Sequence, residues 1–127
     1  MFQNLEIFQT SYAMARHSGA RQAVTAANMA NADTPGYRAR TMMSFANSYE
    51  AGSSEQLRVT RAGHLGATTM TPASQVQMSD AESSPNGNSV SLEQEMLNAV
   101  EIQREHNRAL AIYKHSLDVL RITIGRR

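Results

Sequence analysis

The stretch Ala27-Asn28-Met29-Ala30-Asn31-Ala32-Asp33-Thr34-Pro35-Gly36-Tyr37 decides how this chain is organised. It closes a long helical pattern with two asparagines and then dictates a sharp turn. Asn tolerates the left-handed backbone that ends many helices, so Asn31 is the expected C-cap. Pro35 sets φ near the value required at the second turn position, and Gly36 supplies positive φ at the third. Thr34-Pro35-Gly36-Tyr37 therefore predicts a type II turn.

Upstream of that turn, about Leu5 to Ala30, Leu5, Phe8, Tyr12, Ala15, Gly19, Gln22, Ala26 and Met29 recur alternately at three and four. That spacing lines one face of a helix. The stripe is bulky at its start and built from Ala and Gly further on, so a second helix can approach closely there. Gly19 costs about 1 kcal/mol of helix propensity relative to Ala.

Downstream, about Leu92 to Ile124, the residues Leu92, Met96, Ala99, Gln103, His106, Leu110, Tyr113, Leu117, Leu120 and Ile124 alternate by four and three without a slip. This is a heptad seam. Ser91, with Gln94 three residues on, predicts a capping box. Gly125 ends the pattern, and Arg126 and Arg127 stand at the negative end of the helix dipole. At about 1.5 Å per residue such a helix is roughly 50 Å long. That length exceeds what a compact domain of this size accommodates.

Between the two, Arg38 to Val90 holds two of the three prolines and many Ser, Thr and Asn. Leu57-Arg58-Val59-Thr60 and Gln75-Val76-Gln77-Met78 alternate like short strands. The predicted fold is mainly α: two long terminal helices forming a coiled-coil-like hairpin, with an irregular middle segment carrying short strands. The organisation is 1–37 for the first helix and its closing turn, 38–90 for a partly flexible middle, and 91–127 for the heptad helix. A structureless connection of that length argues against a compact two-helix domain and suits a segment ordered against neighbours.

The 127 residues carry 12 Lys and Arg against 11 Asp and Glu, interspersed, which leaves no nucleic-acid footprint. Aromatics are 6% of the chain and Trp is absent, thin material for an autonomous core. Without cysteine there are no disulfides or thiolate metal sites. Met1-Phe2-Gln3-Asn4-Leu5-Glu6 has neither the basic start nor the apolar run of a cleaved secretory signal. No apolar run approaches the roughly 20 residues that span a bilayer.

The C-terminal helix is apolar on more than its seam: Leu97, Val100, Ile102, Ala109, Ile112, Val119 and Ile122 lie off it. One helical partner covers one stripe, and the N-terminal helix is the obvious one. The rest requires further neighbours or forms an exposed patch that invites association. Gln103 and His106 on the seam can fix register at a cost in stability. Helices with two such faces suit a polymer, in which head-to-tail contacts that do not close into a ring give helical arrays.

No catalytic constellation emerges. His17, His64, His106 and His115 include no pair at the i, i+4 spacing that puts two metal ligands on one helix face. His115, Ser116 and Asp118 are sequence neighbours, but residues one or two apart on a helix do not face each other. Glu93, Glu95, Glu101 and Glu105 read as a solvated helix face, Glu93 also favouring the helix N-terminus. Asn86-Gly87-Asn88 reads as a turn, not a phosphate loop. The methionines, Met42-Met43 included, read as adaptable packing. The expectation is no enzyme, no cofactor, no metal and no small-molecule substrate.

The turn also carries a resemblance. It is similar to the Ala-Asn-x-x-Asn-x-x-Thr-Pro-Gly-Tyr signature of bacterial flagellar axial proteins, matched by Asn28, Asn31, Thr34, Pro35, Gly36 and Tyr37. Asn86-Gly87-Asn88-Ser89-Val90-Ser91-Leu92-Glu93-Gln94-Glu95-Met96 resembles the lead-in to the C-terminal helix of short rod proteins. Leu120-Arg121-Ile122-Thr123-Ile124-Gly125-Arg126 resembles the tail of FlgB-type proximal rod proteins, and Thr60 to Leu65 faintly resembles a further family segment. The chain departs from the pattern at His106, where the family often has an aromatic residue, and at Leu117, where Phe is common.

The resemblance implies a structural subunit of the basal-body proximal rod in the periplasm, exported through the flagellar type III apparatus without a cleaved signal. It implies polymerisation through the terminal helices into a drive-shaft tube that transmits torque and passes exported subunits. The implied partners are other rod subunits, the rod-to-membrane-ring adaptor, the membrane ring and the export apparatus. The packing residues expected to carry assembly are Leu5, Phe8, Tyr12, Leu92, Met96, Leu110, Tyr113, Leu117, Leu120 and Ile124. The competing reading is a cytoplasmic coiled-coil adaptor or secretion chaperone dimerised through the Leu92 to Ile124 seam. That reading leaves the Asn31 to Tyr37 turn without a purpose.

Overall fold

The computed structural model describes residues 2–53 and 76–125. In chain order the elements are α1 (Phe2–Ala30), β1 (Arg40–Met42), α2 (Phe45–Ser53), β2 (Val76–Met78) and α3 (Leu92–Ile124). The fold is mainly α, with the two long helices packed as an antiparallel hairpin. Phe8 meets Tyr113 towards one end, and Asn28 meets Glu95 towards the other. No helix among the described residues is long and apolar enough to cross a membrane.

Local chemistry sets the helix ends. α1 stops at Ala30, and the Asn31 side chain caps it, Nδ2 donating to the Ala27 carbonyl at 2.8 Å. The turn forms as expected: Gly36 has φ of 73°, and the Tyr37 amide donates to the Thr34 carbonyl at 3.3 Å. α3 begins at Ser91, whose side chain accepts from the Gln94 amide. The reciprocal half of the capping box is not made, because Gln94 Nε2 donates instead to Asn98 Oδ1 at 3.2 Å. Gly125 closes α3 with its amide on the Arg121 carbonyl at 2.7 Å.

The described parts of the middle hold two short strands and a helix. β1 and β2 pair antiparallel with Arg40 opposite Met78, Thr41 opposite Gln77 and Met42 opposite Val76. β2 lies within the expected Gln75–Met78 run, whereas Leu57–Thr60, the Thr60–Leu65 segment with His64, and Arg126 and Arg127 lie outside the described residues. α2 was not anticipated. The Ser44 hydroxyl starts it by accepting from the Asn47 amide at 3.4 Å, a short N-cap signal hidden in a polar stretch.

The hairpin seam differs from the apolar stripes. On α1 the inward positions are Ser11, Met14, Ser18, Arg21, Thr25 and Asn28, one residue before the stripe that runs from Tyr12 to Met29. Tyr12 is 62% exposed, and Gly19, Gln22 and Ala26 face out. On α3 the buried residues are Glu95, Ile102 and Ala109. The column Ala99, His106, Tyr113 and Leu120 flanks them, while Leu92, Met96, Gln103, Leu110 and Ile124 are exposed and Leu117 is partly covered. One column of the predicted α3 seam is shared; the other is displaced by one position.

Hydrogen bonding explains the rotation. Asn28 must face the returning chain and Glu95, and heptad spacing then carries Arg21, Thr25, Ser18 and Ser11 to the same side. Small hydroxyl residues are buried on α1, as Ala109 is on α3. The consequence is a meagre interior: among the described residues the buried apolar side chains are Ala39, Met42, Ile102 and Ala109. A buried Ile contributes about 1.5–3 kcal/mol, whereas ordering each residue costs roughly 1–2 kcal/mol.

Candidate functional site

Two segments far apart in sequence interlock at the base of the hairpin. The Asn88 amide nitrogen donates to the carbonyls of Asn31 (3.0 Å), Ala32 (2.6 Å) and Thr34 (3.0 Å), where α1 has just ended. Its Oδ1 accepts from the Val90 amide at 2.8 Å, so a buried carboxamide joins the two chain segments by both ends. Gly36 N donates to Asn86 O at 3.1 Å, Ser89 N to Tyr37 O at 3.1 Å, and Ala39 N to Ser89 Oγ at 2.9 Å. Gly87 has φ of +80°, and a Cβ there would stand 3.3 Å from Gly36 Cα. The two turns touch glycine to glycine.

Asn28 organises the next level up. It is fully buried. Nδ2 donates to Arg40 O at 2.7 Å and to Glu95 Oε1 at 3.1 Å. Oδ1 accepts from Arg40 N at 3.0 Å and from the Tyr37 hydroxyl at 3.4 Å. All four of its hydrogen-bonding positions are used. The Glu95 carboxylate is thus buried and paired, and Glu105 forms an ion pair with Arg21 at 2.7 Å. These two glutamates leave the solvated face expected of them, because the hairpin seam turns them inward.

The rungs continue along the seam. The Ser18 hydroxyl donates to Ala15 O at 2.9 Å, so its lone pair receives Nδ1–H of His106 at 3.1 Å. That bond gives His106 a polar partner across the seam. Beyond it, Phe8 and Tyr113 meet edge-on at 5.3 Å between ring centroids.

α2 docks on α1 through His17. Phe45 lies 5.7 Å from the His17 ring, near-perpendicular. The Ser48 hydroxyl donates to Ser44 O, so it accepts Nε2–H of His17 at 3.4 Å. His17 Nδ1 is then a bare lone pair, buried and without a partner. Burial first, and the Arg21 charge second, lower the His17 pKa below its ordinary value, with Glu105 opposing.

The apolar side chains stand elsewhere. On α3, Leu92, Met96, Leu97, Val100, Leu110, Ile122 and Ile124 are exposed. Beside α2, an open groove of about 490 Å³ is lined by Ile7, Met14, Tyr49 and Ile112, among others. Among the described residues no three His, Asp or Glu side chains gather within ligand distance of one point.

A family model described as "Flagella basal body rod protein" matches residues 13–38, which span the later part of α1 and the whole closing turn. The flagellar basal body rod protein FlgB of Agrobacterium fabrum is 28% identical over 130 aligned positions, covering 98% of this chain and 96% of that protein. The chain is similar to the flagellar basal body rod proteins. Its likeness along nearly the full length is to the FlgB type. Both matches are to proteins described as components of the flagellar basal body rod.

Of the motif residues, Asn28, Asn31, Thr34, Gly36 and Tyr37 each make a bond that closes α1 or receives the second turn. Pro35 sits exposed at the turn's apex. Of the packing residues, Phe8, Tyr113 and Leu120 flank the hairpin seam, and Tyr12, Leu92, Met96, Leu110 and Ile124 point outward. Leu5 lies within α1, but its side chain is outside what the structure describes. Met42 is buried while Met43 is exposed. A search for apolar periodicity misses Ser18, Arg21, Thr25 and Glu95. A period-seven run of Ser11, Ser18 and Thr25 was the available signal.

Proposed function

We propose that this chain is a building block of the proximal rod, polymerising through α3 and the outward face of α1 into the periplasmic drive-shaft tube. The observation that carries this is the split of α3 into a polar seam turned inward and an apolar column, Met96, Leu110 and Ile124 with Leu92, left in solvent. A monomer gains nothing by exposing such a column, whereas neighbouring subunits can cover it. Leu5, Tyr12 and Leu117 would join that interface, and Phe8, Tyr113 and Leu120 would brace it from the hairpin side.

In this reading the chain travels as an extended polymer through the flagellar export apparatus, without cleavage. Its small interior favours that route, because ordering is completed only when subunits supply the missing surface. The regions 1–37 and 91–127 act as the polymerising pair, and 38–90 contacts the membrane ring, its adaptor or neighbouring rod subunits. The finished tube transmits torque and passes later subunits.

The test is an in-frame deletion in the native bacterium, scored for motility and by electron microscopy of basal bodies. Basal bodies without rod, hook and filament, restored by the intact gene, are the expected result. Normal flagella on the deletion strain would sink the proposal and favour a cytoplasmic adaptor.

A further inference from the structure

We propose that Asn86 is a deamidation site governed by folding, silent in the closed interlock and active whenever the two turns separate. The inference is independent of what the protein assembles with. Asn86-Gly87 is the chain's single Asn-Gly pair. That pair is chemically vulnerable because glycine leaves its own amide nitrogen unshielded beside the preceding carboxamide.

The reaction needs no co-reactant beyond water. The Gly87 nitrogen loses its proton to solvent and attacks Asn86 Cγ, forming a C–N bond and closing a succinimide. The Cγ–Nδ2 bond breaks, and the nitrogen leaves as ammonia after taking up a proton. Water then opens the ring at either carbonyl, giving aspartate or isoaspartate. Nothing is oxidised or reduced.

Every group that must move is held. The Gly87 amide, the nucleophile, donates to Ser84 O at 2.8 Å. The Asn86 carboxamide accepts from Asn88 N at 3.0 Å, which pins Cγ. The Asn86 carbonyl accepts from Gly36 N at 3.1 Å, and Asn88, the residue after Gly87, is anchored to three carbonyls at the end of α1. Asn86 is exposed, so solvent reaches it, and geometry alone restrains the attack. Reaction then proceeds only from the locally opened state, at a rate set by that state's population.

The product matters because the contact behind it has no slack. Isoaspartate routes the main chain through the side-chain carbonyl and lengthens it by one methylene. Gly87 already packs so closely that a Cβ would lie 3.3 Å from Gly36 Cα. A lengthened turn displaces Gly87 and withdraws the Asn88 clamp, so a chain that stays open too long loses the ability to close.

The full-length protein is incubated in native buffer and in concentrated urea at mildly alkaline pH, and Asn86 is followed by peptide mapping. Conversion at least about tenfold faster in urea is expected, and equal rates would overturn the proposal. Asn88→Ala in native buffer should raise the native rate several-fold; a folded Asn88→Ala protein with the parental rate would also overturn it. Should that variant fail to fold, hydrogen exchange at the Gly87 amide of the intact chain decides. Its protection should match the suppression of Asn86 conversion, and an unprotected amide with suppressed conversion contradicts the mechanism. Asn86→Asp should fold like the parent, since a carboxylate also accepts from Asn88 N, whereas isoaspartate-enriched chains should lose helix.

Discussion

The side-chain amide of Asn28 donates to the buried carboxylate of Glu95 at 3.1 Å, joining helices 67 positions apart in sequence. The same carboxamide brackets the backbone of Arg40, so one residue holds the hairpin and the returning chain together.

Removing Asn28 strands several groups at once. Asn28→Ala leaves the Glu95 carboxylate and both Arg40 backbone groups without their partner, and should cost about 3 kcal/mol. Glu95→Gln keeps an acceptor for Nδ2 and should cost about 1 kcal/mol or less. Urea unfolding followed by circular dichroism checks both. Equal losses would mean that the pair does not organise the seam.

The two interlocked glycines should respond unequally. Gly36 and Gly87 both have positive φ, but a Cβ at Gly36 meets nothing within 4 Å. Gly36→Ala should cost about 1 kcal/mol, the backbone penalty alone. Gly87→Ala adds a tight contact with Gly36 Cα and should cost about 2 kcal/mol or more. Thermal unfolding of the two variants side by side tests the order.

Acid should weaken the docking of α2. The folded His17 pKa lies below the ordinary 6.5, through burial and Arg21, so the unfolded chain binds more protons in that range. The stabilisation is complete above the unfolded pKa and is lost as pH falls from about 6.5 through the folded pKa. The groups facing His17 are Arg21 on α1, Glu105 on α3, and Phe45 and Ser48 on α2. The denaturation midpoint should drop over this window in the parent and drop less in His17→Gln, which does not titrate. Identical pH profiles would remove His17 from the account.

Charge on the two faces of α3 should separate folding from assembly. Leu110 is 49% exposed, whereas Ala109 beside it is fully buried. Leu110→Asp should leave the monomer's helix content near the parental level and abolish motility in complementation, because the outer column becomes unmatched. Ala109→Asp should lower the helix content of the monomer itself, as an unpaired charge enters the seam. Motile cells carrying Leu110→Asp would refute packing through that column.

Sequence alone determined the two long helices, the caps at Asn31 and Ser91, the type II turn at Thr34 to Tyr37, and the resemblance to flagellar rod proteins. These follow from local rules: backbone preferences of Pro and Gly, side-chain capping, and hydrophobic period. The tertiary structure alone decided which face of each helix closes the hairpin. Apolar spacing pointed to Tyr12, Ala15, Gly19 and Gln22, yet Ser11, Ser18, Arg21 and Thr25 turn inward.

The reason is that periodicity ranks faces by hydrophobicity, whereas rotation about a helix axis is set by whatever bonds are made at its end. Here Asn28 and Asn88, polar residues whose partners include groups twelve to 67 positions away, set that rotation. No local signal announces such bonds. The apolar columns visible in the sequence are left largely exposed instead.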